Sequence, residues 1–71
     1  MDVLAFDYTH EDPGVFGVSY TTPGSKTVYQ VSWVEFDFDG YTKIDLLEFS
    51  GTRRDANFAV TLARKYGRET A

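Results

Sequence analysis

Thr27-Val28-Tyr29-Gln30-Val31-Ser32-Trp33-Val34-Glu35-Phe36-Asp37-Phe38-Asp39-Gly40-Tyr41-Thr42-Lys43-Ile44-Asp45-Leu46-Leu47-Glu48-Phe49 is a run of β-branched and aromatic residues interrupted once, at Asp39-Gly40. It reads as a long hairpin with strands over 27–38 and 42–49. The apolar residues change parity within it: Tyr29, Val31 and Trp33 are odd, then Val34, Phe36 and Phe38 are even. The return strand does the same, with Ile44 and Leu46 followed by Leu47 and Phe49. A three-residue loop, Asp39 to Tyr41, would set Phe36 opposite Ile44, Val34 opposite Leu46, Trp33 opposite Leu47 and Val31 opposite Phe49. Both strands would then change faces at one level. That register places Asp37 across from Lys43 and Glu35 beside Asp45, whereas a two-residue loop opposing Phe36 to Lys43 and Val34 to Asp45 mixes the faces.

Working outward, Leu4, Phe6 and Tyr8 alternate with Ala5 and Asp7, and Phe16, Val18 and Tyr20 alternate beyond the Asp12-Pro13-Gly14 turn. Residues 3–9 and 15–21 therefore read as a first hairpin with one buried face. Thr22-Pro23-Gly24-Ser25 separates the two hairpins. Toward the C-terminus, Thr52-Arg53-Arg54-Asp55 has the form of a capping box, and Ala56, Ala59, Val60 and Ala63 make an apolar stripe at helical spacing. Phe58, Leu62 and Tyr66 flank the stripe, and Gly67 is placed to end a helix over 53–66. The expected architecture is a single α+β domain over 1–71, an antiparallel sheet of four strands in two hairpins packed on one C-terminal helix.

That helix covers the Trp33, Val31, Leu47 and Phe49 side of the long hairpin. Val34, Phe36, Phe38 and Ile44 need another cover. A strong twist, or a β-bulge at Trp33-Val34, can bring the first hairpin over them. A second copy of the chain or a partner protein is the other candidate.

At 71 residues with no cysteine, neither a disulfide nor a thiolate metal site supports the core. A domain this small buries only roughly 60% of its unfolded surface, so six Phe, five Tyr and one Trp must carry the packing. The opening Met1-Asp2-Val3-Leu4-Ala5-Phe6-Asp7 has no basic region and no long apolar run, and no segment has the roughly 20 apolar residues of a membrane span. The expectation is a soluble, cytoplasmic protein with no membrane partner. Charge is split by position. Residues 1–50 hold nine acids against two bases, and residues 51–71 hold five bases against two acids, −7 and +3 summing to the net −4. Such asymmetry predicts surfaces of opposite sign.

No residue pattern names a reaction, so the expectation is a non-enzymatic protein without cofactor. His10-Glu11-Asp12, with Asp7 nearby, lacks metal-site spacing, since adjacent residues of an extended chain point to alternate sides. No Gly-rich phosphate loop or nucleophile triad is present.

Two charged groups remain. Glu35, Asp37 and Asp39 are expected on one strand face, with Asp45 beside them. Same-face residues of a strand lie about 6.8 Å apart, a spacing comparable to two phosphate steps of about 3.4 Å each. Phosphate mimicry is therefore open to this patch, as are solubility and edge protection. On the helix, Arg53, Arg54, Arg64 and Lys65 share the polar side and form the candidate anion-binding group. Arg64 and Lys65 suit the C-terminal end of the helix dipole, whereas Arg53 and Arg54 oppose it in the first turn. These two call for an internal carboxylate such as Glu48 or for an external anion.

Gly17-Val18-Ser19-Tyr20, Leu46-Leu47-Glu48-Phe49-Ser50-Gly51-Thr52 and the alanines Ala56 and Ala59 resemble the AP2 family and the related integrase arm-binding domains. The resemblance covers about three quarters of the chain and implies three strands packed on one helix. It also implies a sheet that reads DNA through Arg and Trp; here only Trp33 and Lys26 could serve, because the matching strands are acidic. Size and acidity are similar in type to small virus-encoded inhibitors, including anti-CRISPR proteins and DNA mimics. The leading expectation is an inhibitor or regulator whose acidic sheet residues Glu35, Asp37, Asp39 and Asp45 occupy a basic nucleic-acid site on a larger protein. Behind it stand a DNA- or RNA-binding regulator using the basic helix, and a homodimer formed through Val34, Phe36, Phe38 and Ile44.

Overall fold

A computed structural model of the chain describes residues 1–70. Four strands, β1 (Asp2–Phe6), β2 (Gly14–Thr21), β3 (Thr27–Asp37) and β4 (Gly40–Ser50), form one antiparallel sheet in the order β1-β2-β3-β4. A helix, α1 (Arg53–Tyr66), crosses one face, and a 3₁₀ turn over Gly67–Thr70 follows it. The expected α+β architecture is therefore present. The first strand ends at Phe6 rather than residue 9, because residues 7–13 turn into a loop in which Thr9 Oγ1 accepts from the amides of Glu11 and Asp12.

The long hairpin departs from both registers considered from sequence. Asp37 pairs with Gly40 and Phe36 with Tyr41, so the connection is the two residues Phe38-Asp39. Val34 then lies opposite Lys43, and Trp33 opposite Ile44. The ladder slips between Val31 and Ser32, which pair with Leu47 and Asp45 and leave Leu46 as an extra residue on β4. This bulge is the cause of the parity change on β4. It lets Ile44, Leu47 and Phe49 share one face, and it lies one level away from the expected Trp33-Val34 position. No such slip is needed on β3, where Tyr29, Val31, Trp33 and Glu35 keep one face and Ser32, Val34 and Phe36 the other. The two parities of β3 mean two apolar faces. The pairings Asp37 with Lys43 and Glu35 with Asp45 do not form; Lys43 Nζ instead reaches Asp45 Oδ1 along its own strand at 3.6 Å.

The helix begins as its sequence dictates. Thr52 Oγ1 accepts from the Asp55 amide at 3.1 Å, and Asp55 Oδ2 accepts from the Thr52 amide at 3.1 Å. Its buried stripe is Ala56, Ala59, Val60 and Ala63, as the spacing predicts. Ala59, Val60 and Ala63 meet Ala5, Val15, Val31 and Leu46, with Leu4, Trp33, Ile44, Leu47 and Phe49 packed around them. Small residues allow this close layering: a Cβ at Gly17 would stand 3.4 Å from Val60 Cγ2. The helix ends at Gly67, whose φ of 57° suits glycine and whose backbone lies against the Trp33 ring.

Candidate functional site

The sheet face away from α1 carries no covering element, and it is aromatic. Phe6 stacks on Tyr8 with centroids 4.4 Å apart, and both meet Phe16 edge-on. Tyr8 and Tyr41 each approach Phe36 at 5.8 Å, and the His10 imidazole lies 4.6 Å from it. Strand alternation produces this arrangement. Phe6 pairs with Phe16 on β1 and β2, and Phe36 with Tyr41 on β3 and β4. The alternating Phe6-Tyr8 and Phe16-Val18-Tyr20 series thus lie on the open face, not against the helix, and Leu4 reaches the core only because it is the extra residue of a bulge on β1. Phe6 remains 60% exposed and Tyr41 65%.

Of the apolar patch expected from sequence, Val34 and Phe36 are on this face. Ile44 is not: the Leu46 bulge turns it toward the core beneath the helix. Phe38 stands at the turn, fully exposed. The first hairpin does reach over part of the patch, through Tyr8, His10 and Phe16. A cleft of about 240 Å³ remains between Tyr8, Phe16, Val34, Phe36, Tyr41 and Lys43. Beside it, an open recess of about 730 Å³ lies between His10, Phe36, Asp37, Phe38 and Gly40.

The acidic patch is also redistributed. Glu35 is on the helix side, where it accepts from Trp33 Nε1 at 2.8 Å and lies 3.5 Å from Arg68. Asp37 shares that parity, and its Oδ1 holds the turn by accepting from the Asp39 amide at 2.8 Å. Asp45 points to the other face, accepting from Ser32 Oγ at 3.1 Å. The four carboxylates thus do not form one face, since β3 alternates strictly and the turn takes Asp39 out of the strand.

The basic group divides as well. Arg64 makes a two-pronged contact with Asp7, Nε to Oδ2 at 2.7 Å and Nη2 to Oδ1 at 3.0 Å, tying α1 to the end of the first strand. The guanidinium hydrogen bond holds the Asp7 carboxyl below its usual range and raises Arg64, against a smaller opposing effect of burial. Arg64 is thereby engaged by a carboxylate of the chain itself. Lys65 lies over the ring of its neighbour Tyr66, 5.4 Å from the centroid. Glu48 does not compensate Arg53 or Arg54. It accepts from Tyr20 Oη at 3.3 Å and Gln30 Nε2 at 3.2 Å on the open face. There the Tyr20 hydroxyl is pushed up, by lost hydration first and then by the Glu48 charge and hydrogen bond. Among the described residues no carboxylate lies within 4.0 Å of the Lys26, Arg53 or Arg54 cation.

These placements gather acids without an ion-pair partner at one end of the long axis. The body measures 40 × 24 × 17 Å, and strands of 11 residues span roughly 36 Å, so the long axis follows the strands. At one end the 7–13 loop meets the β3–β4 turn. Asp7, Glu35 and Asp45 are ion-paired there, which leaves Glu11, Asp12, Asp37 and Asp39 without an ion-pair partner among the described residues. At the other end are the turn containing Lys26 and the start of α1 with Arg53 and Arg54. Asp2, Glu48 and Asp55 accompany these three cations, and the positive end of the helix dipole lies there too. Sequence reasoning placed Phe36 and Phe38 in the candidate site but missed Phe6, Tyr8, His10, Phe16 and Tyr41. Two apolar series of opposite parity within β3 were the available signal, because they require an apolar face on both sides of the sheet.

Among the described residues, no group of three or more His, Cys, Asp or Glu side chains converges on a metal position, and no helix is long and apolar enough to cross a membrane. Comparison with known protein families, with curated proteins and with solved structures finds no match for this chain.

Proposed function

We propose that this chain is a non-enzymatic binding protein that docks the aromatic, acidic end of its sheet on a basic surface of a larger protein. The observation that carries this reading is the coincidence of uncovered aromatic rings with unpaired acids: Phe36, Phe38 and Tyr41 beside Glu11, Asp12, Asp37 and Asp39. Apolar area supplies affinity once water is excluded, and opposite charge accelerates encounter. Basic surfaces of this kind commonly serve nucleic acid, so an occupant of one acts as an inhibitor or regulator of nucleic-acid binding.

The test is titration with a basic Lys/Arg copolymer, read by calorimetry at low and at raised salt. Binding should weaken with salt and disappear when Glu11, Asp12, Asp37 and Asp39 are together changed to Lys. A Asp2→Lys control, at the opposite end of the strands, should retain it. Undiminished binding by the fourfold variant would refute the proposal. The unpaired Arg53 and Arg54 favour a second reading, nucleic-acid contact at the opposite end. A gel shift at low salt, lost on Arg53→Ala with Arg54→Ala, is its signature, and no shift at any salt removes it.

A further inference from the structure

We infer that the recess between His10 and the β3–β4 turn receives an arginine side chain of the docked protein, an inference that rests on the reading above and names its central contact. Three observations point to a guanidinium. The first is the chemistry of the walls: two phenyl rings, Phe36 and Phe38, and an imidazole, with Asp37 and Gly40 of the turn at the rim and no Lys or Arg among them. The neighbouring cleft differs, because Lys43 lines it.

The second is Phe38 itself. A phenyl ring at a two-residue connection contributes nothing to folding when it is fully exposed, as this one is. Its exposed ring faces are instead available to a flat cation, which the quadrupole of an aromatic ring attracts.

The third is the state of Asp37. Its Oδ1 accepts from the Asp39 amide, which ties the carboxylate to the turn that bounds the recess. Glu11, Asp12 and Asp39 add negative charge around the recess without being neutralised by an ion pair among the described residues. A guanidinium can lie against a ring and donate to a carboxylate at the same time, and it sheds water more readily than an ammonium. The recess therefore selects arginine over lysine.

Calorimetric titration of the intact chain with octa-arginine, octa-lysine and the neutral isostere octa-citrulline tests this. The expected order is octa-arginine tightest, octa-lysine about fivefold weaker and octa-citrulline without measurable binding. Phe38→Ala and Asp37→Asn should each weaken octa-arginine about fivefold. Both variants should fold, since Phe38 packs on nothing and the Asn carbonyl can still accept from the Asp39 amide. Four results would overturn the inference. If both variants bind octa-arginine unchanged while Glu11→Lys with Asp12→Lys and Asp39→Lys does not, the recess is wrong and the acidic-end reading stands. Equal binding of octa-lysine removes the selection for guanidinium. Failure of both cationic peptides at low salt removes the inference and the proposed function together. A single-stranded oligonucleotide that binds and is lost on Phe38→Ala would assign the rings to bases instead.

Discussion

On the helix-covered face the sheet meets a stripe of alanines with Val15, Val31 and Leu46, all at most 8% exposed. The opposite face presents Phe6, Tyr8, Phe16, Phe36 and Tyr41, and two of these rings are more than half exposed. Small aliphatic residues permit two layers to approach closely and to exclude water. Aromatic rings on a single layer cover one another only in part. The contrast teaches that the aromatic side chains divide: Trp33 and Phe49 pack against the folding core, whereas Phe6, Tyr8, Phe16, Phe36 and Tyr41 do not. The latter form a surface cluster that is held in shape by ring contacts, each worth about 0.5 to 1.5 kcal/mol beyond burial, and their unsatisfied area is available to a partner.

Substitutions on the two faces should separate these roles. The largest effect is expected at Val31, which has no exposed surface. Val31→Ala should cost about 2 to 3 kcal/mol, read as a lowered urea midpoint at unchanged slope. A loss equal to that of Tyr41→Ala would break the distinction between the faces. Next, Thr52→Ala removes one half of the capping box and should cost about 1 kcal/mol. Faster amide exchange confined to the first turn of α1, ahead of the sheet, would sharpen the view that the helix is the cover and the sheet the scaffold. Tyr41→Ala should cost less, about 0.5 to 1 kcal/mol for one ring contact, while weakening binding to a basic peptide. A variant that loses stability but not binding would contradict the assignment of the open face.

The smallest effect concerns the pair that joins the helix to the first hairpin. Because Asp7 is held below its usual 3.8 by Arg64, the folded state binds this proton less readily than the unfolded chain. The pair's contribution is therefore complete above about pH 4 and fades as the pH falls through the depressed value. Both side chains are substantially exposed, so solvent screens the pair and the change is slight. Asp7→Asn should remove that part of the acid dependence in thermal melts taken between pH 5 and pH 2, and an identical pH profile in the variant would show that the pair carries none of it.

The sequence by itself determined the number, order and approximate extent of the strands and the whole of the helix. Alternation, Gly and Pro punctuation and the Thr52–Asp55 capping box are local signals, and the structure follows them at the helix start and along the Ala56, Ala59, Val60, Ala63 stripe. The approximate split of charge was likewise visible as a count. Register was not, because a bulge at Leu46 lets the long hairpin close with a two-residue connection, and the choice depends on packing Ile44, Leu47 and Phe49 together under α1. Only the tertiary structure decided which face the helix would take. It chose the side with Gly17 and small residues, where close approach is sterically allowed, and left the aromatic side open. The same folding sorted the charges, pairing Arg64 with Asp7 and Arg68 with Glu35 across distant parts of the chain and leaving Glu11, Asp12, Asp37 and Asp39 without an ion pair at one end. Long-range pairing depends on which residues the fold brings within a few ångströms, and no local pattern encodes that.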